Sequence, residues 1–119
     1  MATILIIDDT ETDRQLAAQV ARGLGNQVLF ATNGEEGLAK AKEAKPDLIL
    51  LDVVMPKQDG FATCRALKKD AATANIPVVL ITSKGAETDQ FWGKRQGAAA
   101  YIVKPYGPEA LKAAIQDLL

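Results

Sequence analysis

Five positions in this chain carry chemistry at the ends of apolar runs. Ile4-Leu5-Ile6-Ile7 ends on Asp8-Asp9, and Leu48-Ile49-Leu50-Leu51 ends on Asp52. Val78-Val79-Leu80-Ile81 ends on Thr82, and Tyr101-Ile102-Val103 ends on Lys104-Pro105. A carboxylate at the mouth of a buried strand costs desolvation energy, so its presence there points to a chemical role. Three carboxylates brought close together repel and need a cation, a proton or solvent to offset them. Oxygen-only ligands without His or Cys select a hard ion such as Mg2+, which keeps coordination places for water and phosphate oxygens. Lys104 supplies the opposite charge, and the hydroxyl of Thr82 can donate to a phosphoryl oxygen. A carboxylate flanked by metal and ammonium can act as a nucleophile and carry an acyl phosphate. Asp52 is the choice for that nucleophile because it stands alone at its strand end, while Asp8 and Asp9 are paired as ligands.

The elements that must position these groups are legible in the pattern. Runs of strand length alternate with helical stretches, as in βα units around a parallel sheet. The runs near 3–8, 47–52, 77–82 and 99–103 are continuously apolar, as expected when helices cover both faces of the sheet. Gln27-Val28-Leu29-Phe30-Ala31 reads as a fifth, weaker strand at an edge. The predicted fold is a (βα)5, doubly wound, flavodoxin-like α/β domain of order 2-1-3-4-5 filling residues 1–119. In that order the first and third strands are neighbours at the point where strand order reverses, the place where open α/β sheets bind ligands.

Helix ends are also readable. Asp9 or Thr10 is expected to cap a helix from about Glu11 to Leu24, with Leu16, Val20 and Leu24 as its apolar stripe and Gly25 as its stop. Asn33 caps the second helix with Glu36 as capping-box partner, and Lys45-Pro46 ends it. Gly34 and Gly37 form no phosphate-binding pattern and read as a loop and helix start. Asp59-Gly60 opens a helix carrying Phe61, Cys64 and Leu67. A fourth runs from about Glu87 to Gln96, and Pro108 opens the last, with Leu111, Ala114, Ile115 and Leu118 on one face. The Lys104-Pro105 bond is expected to be cis, as tight functional turns favour.

Bulk properties exclude several classes. A chain of 119 residues is one domain by length, and its 48% hydrophobic and 24% charged residues are an ordinary globular balance. With a formal net charge of -1, no basic field draws it to nucleic acid or an anionic membrane. It contains one cysteine and no histidine. Hence there is no internal disulfide, a reducing compartment fits, and any His-based chemistry comes from a partner. The absence of a signal or spanning pattern leads to an expected cytoplasmic location.

The set Asp8-Asp9, Asp52 followed by Met55-Pro56 and Gly60, Thr82, and Lys104-Pro105 closely resembles the receiver domain of bacterial two-component response regulators, the stand-alone chemotaxis-like receivers in particular. The resemblance spans essentially the whole chain. It implies phosphoryl transfer from a phosphohistidine on a sensor kinase, or its phosphotransfer domain, to Asp52. It also implies Mg2+ held by Asp9, Asp52 and the Val54 carbonyl, with Asp8 reaching it through water. Thr82 and Tyr101 match the family's switch pair, which remodels the face made by the fourth helix, fifth strand and fifth helix. The stretch Trp92-Gly93-Lys94-Arg95-Gln96-Gly97-Ala98 is similar to that of regulators in type IV pilus twitching-motility chemosensory systems. Trp92, Lys94, Arg95 and Tyr101 are then the expected partner surface. Without an output domain after Leu119, the expected protein is a signalling monomer or weak dimer rather than a metabolic enzyme, catalysing only its own phosphorylation and dephosphorylation. Competing readings are an aspartate-nucleophile phosphatase, which would want aspartates one residue apart and a cap, a degenerate scaffold receiver, and an FMN carrier, which would want hydroxyls and glycines where carboxylates stand.

Overall fold

The computed structural model describes residues 1–55 and 59–119. Pro56, part of the motif after Asp52, lies outside the described residues. Five strands alternate with five helices: β1 (Thr3–Ile7), α1 (Glu11–Gly23), β2 (Gln27–Ala31), α2 (Gly34–Ala44), β3 (Leu48–Leu51), α3 (Gly60–Lys69), β4 (Val78–Thr82), α4 (Glu87–Arg95), β5 (Ala100–Val103) and α5 (Pro108–Leu118). The strands form one parallel sheet in the order β2-β1-β3-β4-β5, with Ile7 opposite Leu51 and Leu51 opposite Leu80.

The unbroken apolar runs are explained by two cores, one on each face of the sheet. Ile4, Ile6, Leu48, Leu50, Val79 and Ile81 point into the core beneath α1 and α5, with Ala17, Ala21, Leu111 and Ile115. Leu5, Ile7, Ile49, Leu51, Val78 and Leu80 point to the opposite core, with Ala41, Cys64 and Leu67. Successive strand residues thus alternate between cores, the period of two that a pleated strand imposes. Each fully buried Leu or Ile contributes about 1.5–3 kcal/mol relative to exposure, so neither face can be left uncovered.

Most helix ends follow the sequence. Asn33 Oδ1 accepts from Glu36 N–H at 2.8 Å, and Asp59 Oδ1 accepts from Ala62 N–H at 2.9 Å. Glu36 reaches back one residue further than a capping box requires, accepting from Thr32 N–H at 3.1 Å. Lys45 ends α2 in the left-handed conformation at φ 47°, ahead of Pro46. Gly25 and Gly97 follow α1 and α4 with positive φ.

Three local expectations need correction. Neither Asp9 nor Thr10 caps α1 through its side chain. Asp8 instead turns the chain ahead of the helix, its Oδ1 accepting from Thr10 N–H at 3.0 Å while Arg14 donates to the Asp8 carbonyl at 2.9 Å. Leu16 is not in the core stripe: it is 51% exposed, because α1 approaches the sheet through the small residues Ala17, Ala18 and Ala21. Gly37 lies inside α2 rather than at its start, where a Cβ would collide with Ile7. Its role is close helix–strand packing.

Candidate functional site

Backbone ladders extend past the strands and carry the chemical groups to one edge. Asp8 N–H donates to Ala31 O at 3.0 Å, Asp52 N–H to Ile7 O at 3.0 Å, and Lys104 N–H to Thr82 O at 2.8 Å. Each polar residue is therefore fixed one step beyond the apolar run that precedes it. The Lys104–Pro105 peptide is cis, as the sequence predicts.

Asp8, Asp9 and Asp52 converge, each offering a carboxylate oxygen within 4.8 Å of the others. Asp8 and Asp52 are each 6% exposed, while Asp9 is exposed. Asp52 Oδ1 accepts from Val54 N–H at 3.1 Å, which orients the carboxylate at the strand end. This set is all oxygen, partly open to solvent and negatively charged, the donor chemistry of a hard divalent cation that retains several waters.

Lys104 faces the acids from the end of β5. Its Nζ lies 2.9 Å from Asp8 Oδ2, 2.8 Å from Asp13 Oδ2 and 3.4 Å from Asp52 Oδ2. Burial of the ammonium pulls its pKa down, but hydrogen bonds to Asp13 and Asp8, with the charges of Asp8 and Asp52, hold it above the ordinary lysine value. The Asp8 carboxyl is pushed up by burial, against the lowering effect of Thr10 N–H and Lys104. For this pair the two directions are compatible: Lys104 answers to three carboxylates, whereas Asp8 has one ammonium shared with others. A cavity of only about 10 Å3 lies beneath these groups, bounded by Asp8, Asp13, Asp52, Lys104 and Tyr106. At most one water fits there, so any ligand must approach from the open side.

Thr82 is fully buried at the end of β4, and its Oγ1 accepts from Lys84 N–H at 3.4 Å. Tyr101 lies in β5 with its ring against α4, and its hydroxyl donates to Lys84 O at 2.6 Å. Thr82 and Tyr101 thus meet the same residue, Lys84, from two strands. On the outer side of α4, Phe91 and Trp92 are 56% and 52% exposed and stack edge to face at 5.9 Å. The Arg95 guanidinium lies 5.7 Å and 5.9 Å from their ring centroids. Lys94, also exposed, adjoins them.

Two residues of consequence escape sequence reasoning. Asp13 reads as an ordinary acid in the first turn of a helix, where the dipole favours it, and only the fold shows it on Lys104. Gly93 reads as a weak point in α4, yet a Cβ there would come within 2.7 Å of the Tyr101 ring. A glycine inside a nine-residue helix is the one signal that could have drawn attention to it.

Comparisons with known proteins agree on one family. The response regulator receiver domain matches residues 4–116. The chain is 47% identical over its whole length to Protein PilH of Pseudomonas aeruginosa, spanning 98% of that protein. It is 40% identical to the DNA-binding dual master transcriptional regulator RpaA of Synechocystis, again over its whole length, but spans only 49% of that longer protein. The solved structure of the chemotaxis protein CheY4 of Vibrio cholerae superposes with a TM-score of 0.92 at 34% identity, covering 100% of this chain and 99% of that one.

Proposed function

The chain belongs to the response regulator receiver family, and on that premise we propose that Asp52 accepts a phosphoryl group from a phosphohistidine and thereby alters what the domain binds. The observation that carries this reading is the convergence of Asp8, Asp9 and Asp52 within 4.8 Å, with the Lys104 ammonium on their flank. An Asp52 carboxylate oxygen attacks phosphorus while the P–N bond to the donor imidazole breaks and leaves its electron pair on that nitrogen. Histidine is absent from this chain, so the donor imidazole belongs to a sensor kinase or its phosphotransfer domain.

Mg2+ bound here would neutralise phosphoryl oxygens as charge moves between donor and acceptor, and Asp8, Asp9, Asp52 and the Val54 carbonyl are the groups that would hold it. Lys104 stabilises the same oxygens from the other side. Thr82 is placed to shift its hydroxyl from Lys84 N–H to a phosphoryl oxygen, and Tyr101, anchored on Lys84 O, is placed to sense that shift. Aromatic and arginine side chains are the usual anchors of protein interfaces. The output surface is accordingly Trp92, Lys94, Arg95 and Tyr101, with Phe91 added by the fold. The chemistry proposed for the domain is its own phosphorylation and dephosphorylation, not turnover of a metabolite. The location is cytoplasmic, and the helix α4 sequence favours pilus-motility or chemotaxis-like control.

Incubation with acetyl phosphate, with and without Mg2+, followed by intact-mass measurement, tests the reading. A Mg2+-dependent adduct of one phosphoryl group, lost in Asp52→Asn, is expected. A folded chain that gains no adduct, or an Asp52→Asn protein that still gains one, would overturn it.

A further inference from the structure

The exposed aromatic pair of α4 is continuous with the surface of α3. Gly93 fixes the inward direction of the helix, because a Cβ there would meet the Tyr101 ring. Trp92 and Lys94 then stand on opposite flanks, about 200° apart around the axis. The Trp92 flank is the one that faces α3. Gln96 N–H donates to Trp92 O at 3.1 Å, which places Gln96 one turn further along that flank, and its Oε1 accepts from Arg65 Nε at 2.7 Å. Lys68 closes the same seam, its stem crowding Gly97 while Nζ donates to Ile76 O at 2.6 Å. Arg65 and, one turn on, Lys69 are exposed on the α3 side.

The C-terminal dipoles of α3 and α4 favour cations in their last turns, which accounts for Lys69 and Arg95. That leaves Arg65, in the body of α3, and the two half-exposed rings without a structural reason. Helix α3 contains no acid, and Arg65, Lys69 and Arg95 have no carboxylate partner among the described residues. Arg95 lies instead over both rings. An apolar platform and three uncompensated cations thus share one surface. Resting on the receiver reading above, we propose that the output surface continues from Phe91, Trp92 and Arg95 across the seam to Arg65 and Lys69, and that its partner is an acidic amphipathic helix of another protein. An apolar side chain of that helix covers the rings, and carboxylates one turn away pair with Arg95 and Arg65. The rings already shield one side of the Arg95 guanidinium from water, which strengthens a charge-assisted bond there. With a net charge of -1 the chain has no overall basic field, so nucleic acid is the less suited polyanion.

Trp92 is the only tryptophan, so its emission reports on this surface directly. The probes are synthetic peptides of about 18 residues, long enough to form helices. One carries Leu at helical spacing with Glu elsewhere, one has the same stripe with Lys, and one scrambles the order of the Leu/Glu peptide. At low ionic strength the acidic amphipathic peptide should move Trp92 emission to shorter wavelength and bind at least about tenfold tighter than the other two. Arg65→Glu should weaken it about tenfold, and Arg65→Lys by no more than about threefold. Lys112→Glu makes the same kind of change on α5, which packs on the other face of the sheet, and should alter affinity less than about twofold. Arg65→Gln, expected between the Glu and Lys variants, is read beside them so that a folding defect in one does not decide the result. Equal affinity for the acidic and basic peptides, equal effects at Arg65 and Lys112, or no emission change at about 1 mM peptide would overturn the proposal. Oligothymidine bound as tightly as the acidic peptide would also overturn it and assign the patch to nucleic acid. The titrations use the unphosphorylated chain. A missing acetyl phosphate adduct therefore sinks the receiver reading and leaves them standing, whereas an adduct without peptide preference sinks the α3 surface alone.

Discussion

Gly93 of α4 and Tyr101 of β5 fit together only because Gly93 has no side chain: a Cβ there would lie 2.7 Å from two atoms of the Tyr101 ring and 2.9 Å from Leu80 Cδ1. The absent methyl lets the ring lie along the helix while its hydroxyl reaches Lys84 O. A residue expected to switch is thus held between a helix and the loop that follows Thr82.

Gly93→Ala should therefore destabilise the protein despite the higher helix propensity of alanine. Propensity favours Ala by about 1 kcal/mol, whereas overpacking costs about 1–3 kcal/mol and displacing Tyr101 loses a hydrogen bond of about 1 kcal/mol. A net loss of about 1–3 kcal/mol is expected by urea denaturation. In a Tyr101→Ala background the sign should reverse, since the ring is gone and Leu80 Cδ1, the far end of a flexible side chain, can give way. Destabilisation in both backgrounds would show that Leu80, not Tyr101, requires the glycine.

Gly60 presents a harder constraint at the opposite end of the site. A Cβ there would meet the Asp52 carbonyl oxygen and come within 2.5 Å of Val53 Cα, and Gly60 N–H donates to Val53 O at 2.8 Å. These neighbours are backbone and cannot rotate away. Gly60→Ala should cost more than about 4 kcal/mol or prevent folding, and any folded fraction should bind Mg2+ weakly because the Asp52 segment has moved. Near-normal urea stability would contradict this packing.

Much of the architecture was legible because strand ends and helix stops are local events. The apolar runs, Asn33, Asp59, Gly25 and Pro108 each act within a few residues, and Asp8, Asp52, Thr82 and Lys104 mark strand ends without further information. What escaped notice depends on contacts distant in sequence. Asp13 and Lys104 are paired across 91 residues, and the fit of Gly93 to Tyr101 exists only once α4 lies on the sheet. Leu16 misled for a related reason: periodicity finds an apolar stripe, but α1 docks through alanines, so the large side chain is left beside the contact. The expected Asp9 or Thr10 cap of α1 failed differently, since neither side chain bonds the helix start and Asp8 holds Thr10 N–H from the strand end.

Alkaline pH should weaken the fold through Tyr101 and Lys104, beside the Cys64 thiol and the Tyr106 hydroxyl, which burial also raises. The Tyr101 hydroxyl is pushed up to about 12 by burial and by the charges of Asp89 and Asp52, from an ordinary 10.0. Lys104 is also raised from its ordinary 10.5. Both folded forms prefer the proton, so each contribution is complete below the unfolded value and is lost as pH rises through the folded one. Stability should hold from neutrality to about pH 9 and then fall. Tyr101→Phe should reduce the part of that fall between pH 10.0 and about 12, leaving the parts due to Lys104, Cys64 and Tyr106. An unchanged pH profile in Tyr101→Phe would remove Tyr101 from the account.

Cys64 should be chemically silent in the folded protein. Its thiol is fully buried and donates to Gln96 O at 3.5 Å. Burial pushes its pKa up to about 11, against the smaller lowering effect of Lys68. Reaction requires the thiolate, so labelling by a disulfide reagent at pH 8 should proceed only through unfolding or local opening, and should accelerate by orders of magnitude in urea. Prompt labelling of native protein would show that α3 opens far more readily than its burial implies.

Asp9 separates the cost of the acidic cluster from its use. Asp8 and Asp52 are buried, and Asp8 also holds Thr10 N–H, so substituting either mixes electrostatics with lost structure. Asp9 is exposed and makes no hydrogen bond or ion pair among the described residues, while contributing an oxygen within 4.8 Å of the other two carboxylates. Asp9→Asn relieves like-charge repulsion and should leave the metal-free protein as stable or up to about 0.5 kcal/mol more so. A ligand that binds only the folded state raises stability by RT ln(1 + [L]/Kd), so Mg2+ should raise the melting temperature of the unaltered chain. That rise should vanish in Asp9→Asn at the same concentration, because one of three carboxylate donors is gone. Thermal unfolding with and without MgCl2 reads both effects. A less stable metal-free Asp9→Asn protein would assign the side chain a structural task, and a retained Mg2+ shift would remove it from the metal site.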